Sequence, residues 1–157
     1  MSANPYATFL GKGDAMQVIA ATPSRLVAVA SGLSGEQADA PTAPGKWSVR
    51  QIIAHMADCE IGFGFRLRQG LAGVAIQPFD QDAWAESYAR YSMEAAVQTF
   101  SALRAWNVAF AKGLSDADKR KAVTHPERGE MTMWTLVETM AGHDLNHLGQ
   151  LERTSAK

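Results

Sequence analysis

The chain has 157 residues, the size of one domain, and its 46% hydrophobic and 20% charged composition excludes a disordered or fibrous chain. Fifteen basic against sixteen acidic side chains leave a net charge of −1, which argues against a nucleic-acid partner. The single cysteine, Cys59, excludes an internal disulfide framework and every multi-cysteine zinc module.

No run approaches the roughly 18 apolar residues a bilayer span requires. The opening MSANPYATFLGKG lacks the charged and apolar regions of a signal peptide. The expectation is one soluble, cytoplasmic domain over residues 1–157, with no membrane partner.

Helical periodicity recurs four times along the chain. The first segment, about Asp14 to Ser31, draws an uneven apolar stripe through Ile19, Thr22, Leu26 and Val29. Pro23 interrupts it, which predicts a kink or break there. The connector GLSGEQADAPTAPGKW reads as a loop.

A second helix starts at Ser48, where Gln51 three residues on completes a capping box, and runs to about Gly70. The connection that follows, Ala72 to Tyr91, is long for a compact domain. Its Phe79, Trp84 and Tyr88 suggest a packed loop or a short helix lying over one end of the fold. Ser92 caps a third helix with the stripe Met93, Val97, Phe100, Leu103, Asn107, Phe110 and Leu114.

The stretch SDADKRKAVTHPERGEM reads as a polar loop, with His125 exposed beside Pro126. Thr132 opens a fourth helix that runs to about Arg153, with Met133, Leu136, Met140, His143, His147 and Leu151 on one face. Four amphipathic helices in one small chain predict an all-α, four-helix bundle.

His143 and His147, four residues apart, project from the apolar face one turn from each other. Two buried imidazoles need partners, because an unpaired buried polar group costs roughly 1–3 kcal/mol. A divalent metal would satisfy both. His-x3-His is unspecific by itself, and the metalloprotease form fails because Asp144 stands where glutamate is required. His55, among Ile52, Ile53 and Met56, adds a third inward imidazole from the second helix. Three such histidines make a facial triad with positions open for water or substrate.

The runs APGKWSVRQIIAHMADCE and GHDLNHLGQLER resemble the DinB/YfiT family of metal-dependent enzymes. Members share a pattern close to Trp-Ser/Thr-x3-Ile/Leu-x2-His, met here from Trp47 to His55. They also share His-x3-His-x2-Gln, met from His143 to Gln150. The resemblance implies a four-helix bundle, often a homodimer, with Zn²⁺ or Ni²⁺ held by His55, His143 and His147. Characterised members include bacillithiol-using thiol transferases and a mycothiol-dependent maleylpyruvate isomerase, while the reaction varies across the family.

Cys59 reads as a buried structural cysteine rather than a fourth ligand. Asp58 and Glu60 read as residues of a solvated face, and Gln150 as a hydrogen-bonding partner. Near-matches to a phosphate loop at Gly45-Lys46 and to a nucleophile elbow at Gly32–Gly35 each fail on a required residue.

The functional expectation is a metal-dependent transferase or hydrolase acting on a small molecule, with a low-molecular-weight thiol as a candidate partner. Phe79, Trp84 and Tyr88 are candidate pocket walls over the metal's open side. The alternative is a non-catalytic binding or regulatory module that holds the metal for structure.

Overall fold

The computed structural model describes residues 4–155. A single turn, α1 (Ala7–Leu10), precedes the first long helix, α2 (Ala15–Ser31), and the short α3 (Gly35–Asp39) leads to the second, α4 (Val49–Ala72). Short α5 (Gln81–Ala85) and a 3-10 turn at Tyr88–Arg90 connect α4 to the third long helix, α6 (Met93–Lys112). Short α7 (Asp116–Arg120) and a hairpin of β1 (Ala122–His125) and β2 (Gly129–Thr132) lead into the fourth, α8 (Met133–Ser155).

Local chemistry sets the helix starts. Ser48 Oγ accepts the Gln51 amide at 3.2 Å while Gln51 Oε1 accepts the Ser48 amide at 3.0 Å, the reciprocal cap expected for α4. Ser92 Oγ accepts the Ala95 amide at 3.1 Å at the start of α6. The long helices pack as a four-helix bundle in which α4 lies against α6 and α8, and α2 against the same two. The consecutive helices α2 and α4 therefore face each other diagonally. No helix among the described residues is long and apolar enough to cross a membrane.

Three local expectations are corrected. The helix does not break at Pro23: α2 is continuous from Ala15 to Ser31. A proline at this position removes the amide that would bond the carbonyl four residues back, on Ile19. Arg104 Nη1 from α6 donates to that carbonyl at 2.9 Å, so a tertiary contact replaces the missing hydrogen bond. The connector after α2 is not all loop, because Ser34 and Gln37 form a second capping box that starts α3.

The polar stretch before α8 is likewise ordered, as α7 and a hairpin pairing His125 with Gly129. Pro126 suits the first turn position after His125, and Gly129 takes φ +75°, a left-handed conformation open to glycine. Val123 and His125 point inward from β1, so His125 is 5% exposed and not at the surface.

The buried apolar residues fall into two clusters. One gathers Ile19, Phe63, Leu67, Met133 and Met140 near the hairpin, and the other Leu26, Ile53, Met56, Phe100 and Leu148. Buried polar side chains occupy the same bundle: His55, Glu60, Arg104, Asn107, His143, Asp144 and His147.

The amino-terminal segment is seated on α8 through a close backbone approach. A Cβ at Gly142 would lie 2.5 Å from the Tyr6 carbonyl oxygen. Gly142→Ala is therefore expected to push this segment off α8 and destabilise the protein by about 1–3 kcal/mol. Urea unfolding would measure this, and an unchanged midpoint would refute it.

Candidate metal centre

His55 projects from the middle of α4 and His143 and His147 from successive turns of α8, and bundle packing brings the three rings together. They are 2%, 4% and 7% exposed. His55 Nε2 and His143 Nε2 stand 3.2 Å apart. The ring of His147 lies 4.9 Å from that of His55 and 4.5 Å from that of His143, centroid to centroid. Cys59, one turn beyond His55, brings Sγ to 3.5 Å from His55 Nε2. The candidate ligand atoms of His55, Cys59 and His143 all lie within 4.8 Å of one another. The cysteine read as purely structural thus stands beside the imidazoles.

Each ring's protonation follows from its surroundings. Burial, then the neighbouring His147, pushes His55 down to about 3. Burial and the other two imidazoles hold His143 well below the usual histidine range. Burial also lowers His147, opposed by its hydrogen bond to Gln150 and by the charge of Asp144. Burial raises the Cys59 thiol strongly, and Glu60 and Asp58 add to the effect. Without a cation the cluster is neutral, and its imidazole lone pairs carry no protons.

The outer nitrogens are already engaged. His147 Nδ1 donates to Gln150 Oε1 at 3.2 Å, and His55 Nδ1 lies 3.2 Å from the Tyr88 hydroxyl. With Nδ1 engaged, Nε2 is the candidate ligand atom of His55 and of His147, the pattern by which outer partners orient metal-binding histidines. The Nε2 atoms of His55 and His143, buried and 3.2 Å apart with Cys59 Sγ beside them, are a donor set suited to a divalent ion, so the residues fit a metal. Tyr88 is itself held in place, because Arg50 Nη1 donates to the carbonyls of Ala89 and Tyr91 at 2.9 and 2.8 Å.

The lowered imidazoles make the stability of the metal-free protein depend on pH. In the unfolded chain a histidine titrates at about 6.5. As pH falls below that value the unfolded state takes up a proton that folded His55 refuses until about pH 3. Folding stability is therefore lost as pH drops through this window and is unaffected by this group above it. Chelator-treated protein should melt at a lower temperature at about pH 5 than at about pH 7.5. An equal or higher Tm at the acidic value would contradict the buried neutral cluster.

The sequence reading missed a second polar group beside the histidines. Arg104, 1% exposed, sends both Nη atoms to Asp144 at 2.5 and 3.0 Å, and Nη2 also reaches Glu60 Oε1 at 2.6 Å. Asn107 Nδ2 donates to Glu60 Oε2 at 3.0 Å, and Thr22 Oγ1 to Asp144 Oδ2 at 2.7 Å. Glu60 is thus a buried ion-pair member and not part of a solvated face. Two carboxyl groups against one guanidinium hold Arg104 firmly protonated. The signal available in the sequence was spacing. Phe100, Arg104, Asn107 and Ala111 follow a 4-3-4 helical row, and all four are buried, whereas Leu103 is only half-buried.

The aromatic connection takes up three different positions. Phe79 lines a cavity of about 80 Å³ whose wall also includes Cys59, Phe63 and His143. Trp84 stacks on Phe79 at 4.6 Å but does not itself line that cavity. Tyr88 is fully buried against Trp47 and His55. A wider groove of about 650 Å³ runs past Lys46, Trp47, Gln150 and Arg153, but no histidine lines it. The smaller cavity is the one that reaches a cluster imidazole.

The family model of the DinB superfamily matches residues 19–151. A protein of Oceanobacillus iheyensis, named "Putative metal-dependent hydrolase", is 30% identical over 76% of this chain and 71% of its own length. One of Geobacillus kaustophilus with the same description is 30% identical over 88% of this chain and 83% of its own. The fold is similar to that of YfiT from Bacillus subtilis, described as "a probable metal-dependent hydrolase with an unusual four-helix bundle topology". That likeness has a TM-score of 0.84 and 23% identity, over 90% of this chain and 84% of the other.

Proposed function

Since the chain belongs to the DinB superfamily, we propose that it is a metal-dependent hydrolase of a small molecule, with His55, His143 and His147 as the ligands of one divalent ion. The observation that carries this reading is the buried, neutral pair of Nε2 atoms 3.2 Å apart, with His147 packed against both rings. Cys59 Sγ is the adjacent donor. Imidazole suits both zinc and nickel, and these are the proposed ions. When bound, such an ion supplies Lewis-acid chemistry, polarising a carbonyl or phosphoryl oxygen or lowering the pKa of a water to about 7.

The chain's own residues do the rest. Gln150 and Tyr88 hold the outer nitrogens of His147 and His55, which fixes the orientation of both rings. Phe79, braced by Trp84, and Phe63 wall the cavity beside His143 and exclude water from one side of the substrate. Thiol transfer from a small thiol would use the same donor set and is the second reading, because the Cys59 thiol shows that sulfur is accommodated beside these imidazoles. A second copy of the chain is the proposed partner, on the exposed apolar side chains of Ile61 and Phe65 on α4 and Trp106 on α6. Sedimentation showing only monomer at micromolar concentration would remove that partner.

The test of function is elemental analysis of untagged protein, followed by turnover of esters, amides and thiol acceptors with and without chelator. Hydrolysis that is lost on chelation and restored by zinc or nickel supports the reading. Stoichiometric metal with no turnover of any of these substrates would favour a binding or regulatory module instead.

A further inference from the structure

The cavity beside His143 has two arginines at its mouth, Arg66 and Arg128, that the metal site does not explain. Arg66 from α4, and His125 and Arg128 from the hairpin, line the cavity of about 80 Å³ and also the open depression of about 600 Å³ outside it. The inner cavity and the outer depression therefore share these three side chains in their walls. Asp80, Asp82 and Glu127 share the outer depression, whereas the inner cavity is lined by Arg66 and Arg128 without any carboxylate among the described residues.

We propose that Arg66 and Arg128 bind an oxyanion, carboxylate or phosphate, on the small-molecule substrate and hold it with its reacting group toward His143. The assignment of the His143 end as the reacting end rests on the function proposed above, whereas the anion site itself does not.

The geometry of the two arginines carries the argument. The Arg66 Cζ lies over the Phe79 ring, 4.6 Å from its centroid, and Nε donates to the Gln77 carbonyl at 3.4 Å. These two contacts hold the guanidinium beside the cavity that Phe79 also lines. Neither arginine forms an ion pair with any described residue, and the Nη groups of Arg66 and the whole guanidinium of Arg128 make no hydrogen bond within the described chain. Asp80, Asp82 and Glu127 line the outer depression, but none pairs with either arginine.

Two half-buried guanidinium groups with free donors beside a cavity repel each other until an anion bridges them. Their fork of parallel N–H groups matches a carboxylate or phosphate bidentately. The charges are close enough to act on one another: burial and then Arg128 lower Arg66, and burial and then both arginines lower His125. A liquid water occupies about 30 Å³. The inner cavity therefore takes a small polar group, and the outer depression takes the remainder of the substrate.

Isothermal titration of the protein as purified, at low salt, with acetate, inorganic phosphate and neutral acetamide tests the site. Acetate or phosphate should bind at least about tenfold more tightly than acetamide, with affinity falling as salt rises. The tighter of the two identifies the anionic group. Arg66→Gln and Arg128→Gln should each weaken anion binding by about tenfold, and the exposed hairpin turn makes Arg128→Gln the variant that keeps its fold. His143→Ala and chelated protein should keep the anion affinity within about twofold.

Unchanged affinity in Arg128→Gln would overturn the proposal. So would loss of anion binding on chelation with both arginines intact, because the ion would then be the anion's partner. Arginine-dependent anion binding in a protein that takes up no metal would leave this site standing while the function proposed above fails.

Discussion

Replacing His143 with alanine is expected to empty the proposed metal centre. His143 supplies one of the two Nε2 atoms that face each other at 3.2 Å, and its ring packs against both other imidazoles. Without it one of three imidazoles is gone, and His55 and His147, on different helices with Cys59 beside His55, hold an ion less well against water. Loss of an outer-shell partner alone costs about 10–100-fold in affinity, so loss of a direct ligand should exceed about 100-fold.

Metal content should fall from about one ion per chain to a small fraction, and chelator-sensitive turnover should fall with it. Gln150→Ala, which frees His147 Nδ1, should lie within the outer-shell range. His125→Ala should leave occupancy unchanged, because His125 sits on the hairpin and its Nδ1 accepts the Glu127 amide. Elemental analysis of the three variants measures all of this. Full metal content in His143→Ala would remove the triad.

Replacing Arg104 with alanine is expected to be the most damaging single change for folding. The side chain is buried to 1% exposure and is shared by Asp144, Glu60 and the Ile19 carbonyl that Pro23 leaves without its helical partner. Its removal leaves two buried carboxyl groups without their counter-charge, with only Asn107 and Thr22 still donating to them, and the Ile19 carbonyl without its donor. Breaking a buried pair by removing one partner costs about 3–5 kcal/mol, a large part of a stability that is typically about 5–15 kcal/mol.

At roughly 2–4 °C per kcal/mol for a chain of this size, Tm should fall by about 6–20 °C. Adding Glu60→Gln and Asp144→Asn to an Arg104→Met protein should recover part of the loss, because the uncompensated groups are then neutral. Calorimetry of the two proteins checks both statements. A Tm within about 2 °C of the parent for Arg104→Ala would show that the network is not a stabilising element.

These expectations differ in how far the sequence alone could have reached them. The four long helices and the caps at Ser48 and Ser92 were legible, because a helix is specified by local spacing and by the oxygen that meets its first free amides. The inward direction of His55, His143 and His147 was legible for the same reason, since each shares a row with aliphatic neighbours on its own helix. The hairpin at Ala122–Thr132 was hidden because its strands have four residues each, too few to show an alternation against a polar background. His125 therefore read as exposed when its strand turns it inward.

What only the tertiary structure decided lies between elements. Pro23 breaks a helix by local rules, and α2 continues because a guanidinium from α6 meets the stranded carbonyl. Arg104 on the core face of α6 looks forbidden until Glu60 from α4 and Asp144 from α8 appear beside it, since a buried charge is tolerated only with partners. The approach of Cys59 to the imidazoles and the meeting of Arg66 with the hairpin's Arg128 are likewise products of packing. The sequence by itself determined which residues each helix turns inward, because that follows from a period of 3.6. The bundle decided which of those residues meet, because charge pairing, cation binding and anion binding all depend on distances between helices that no spacing along one chain encodes.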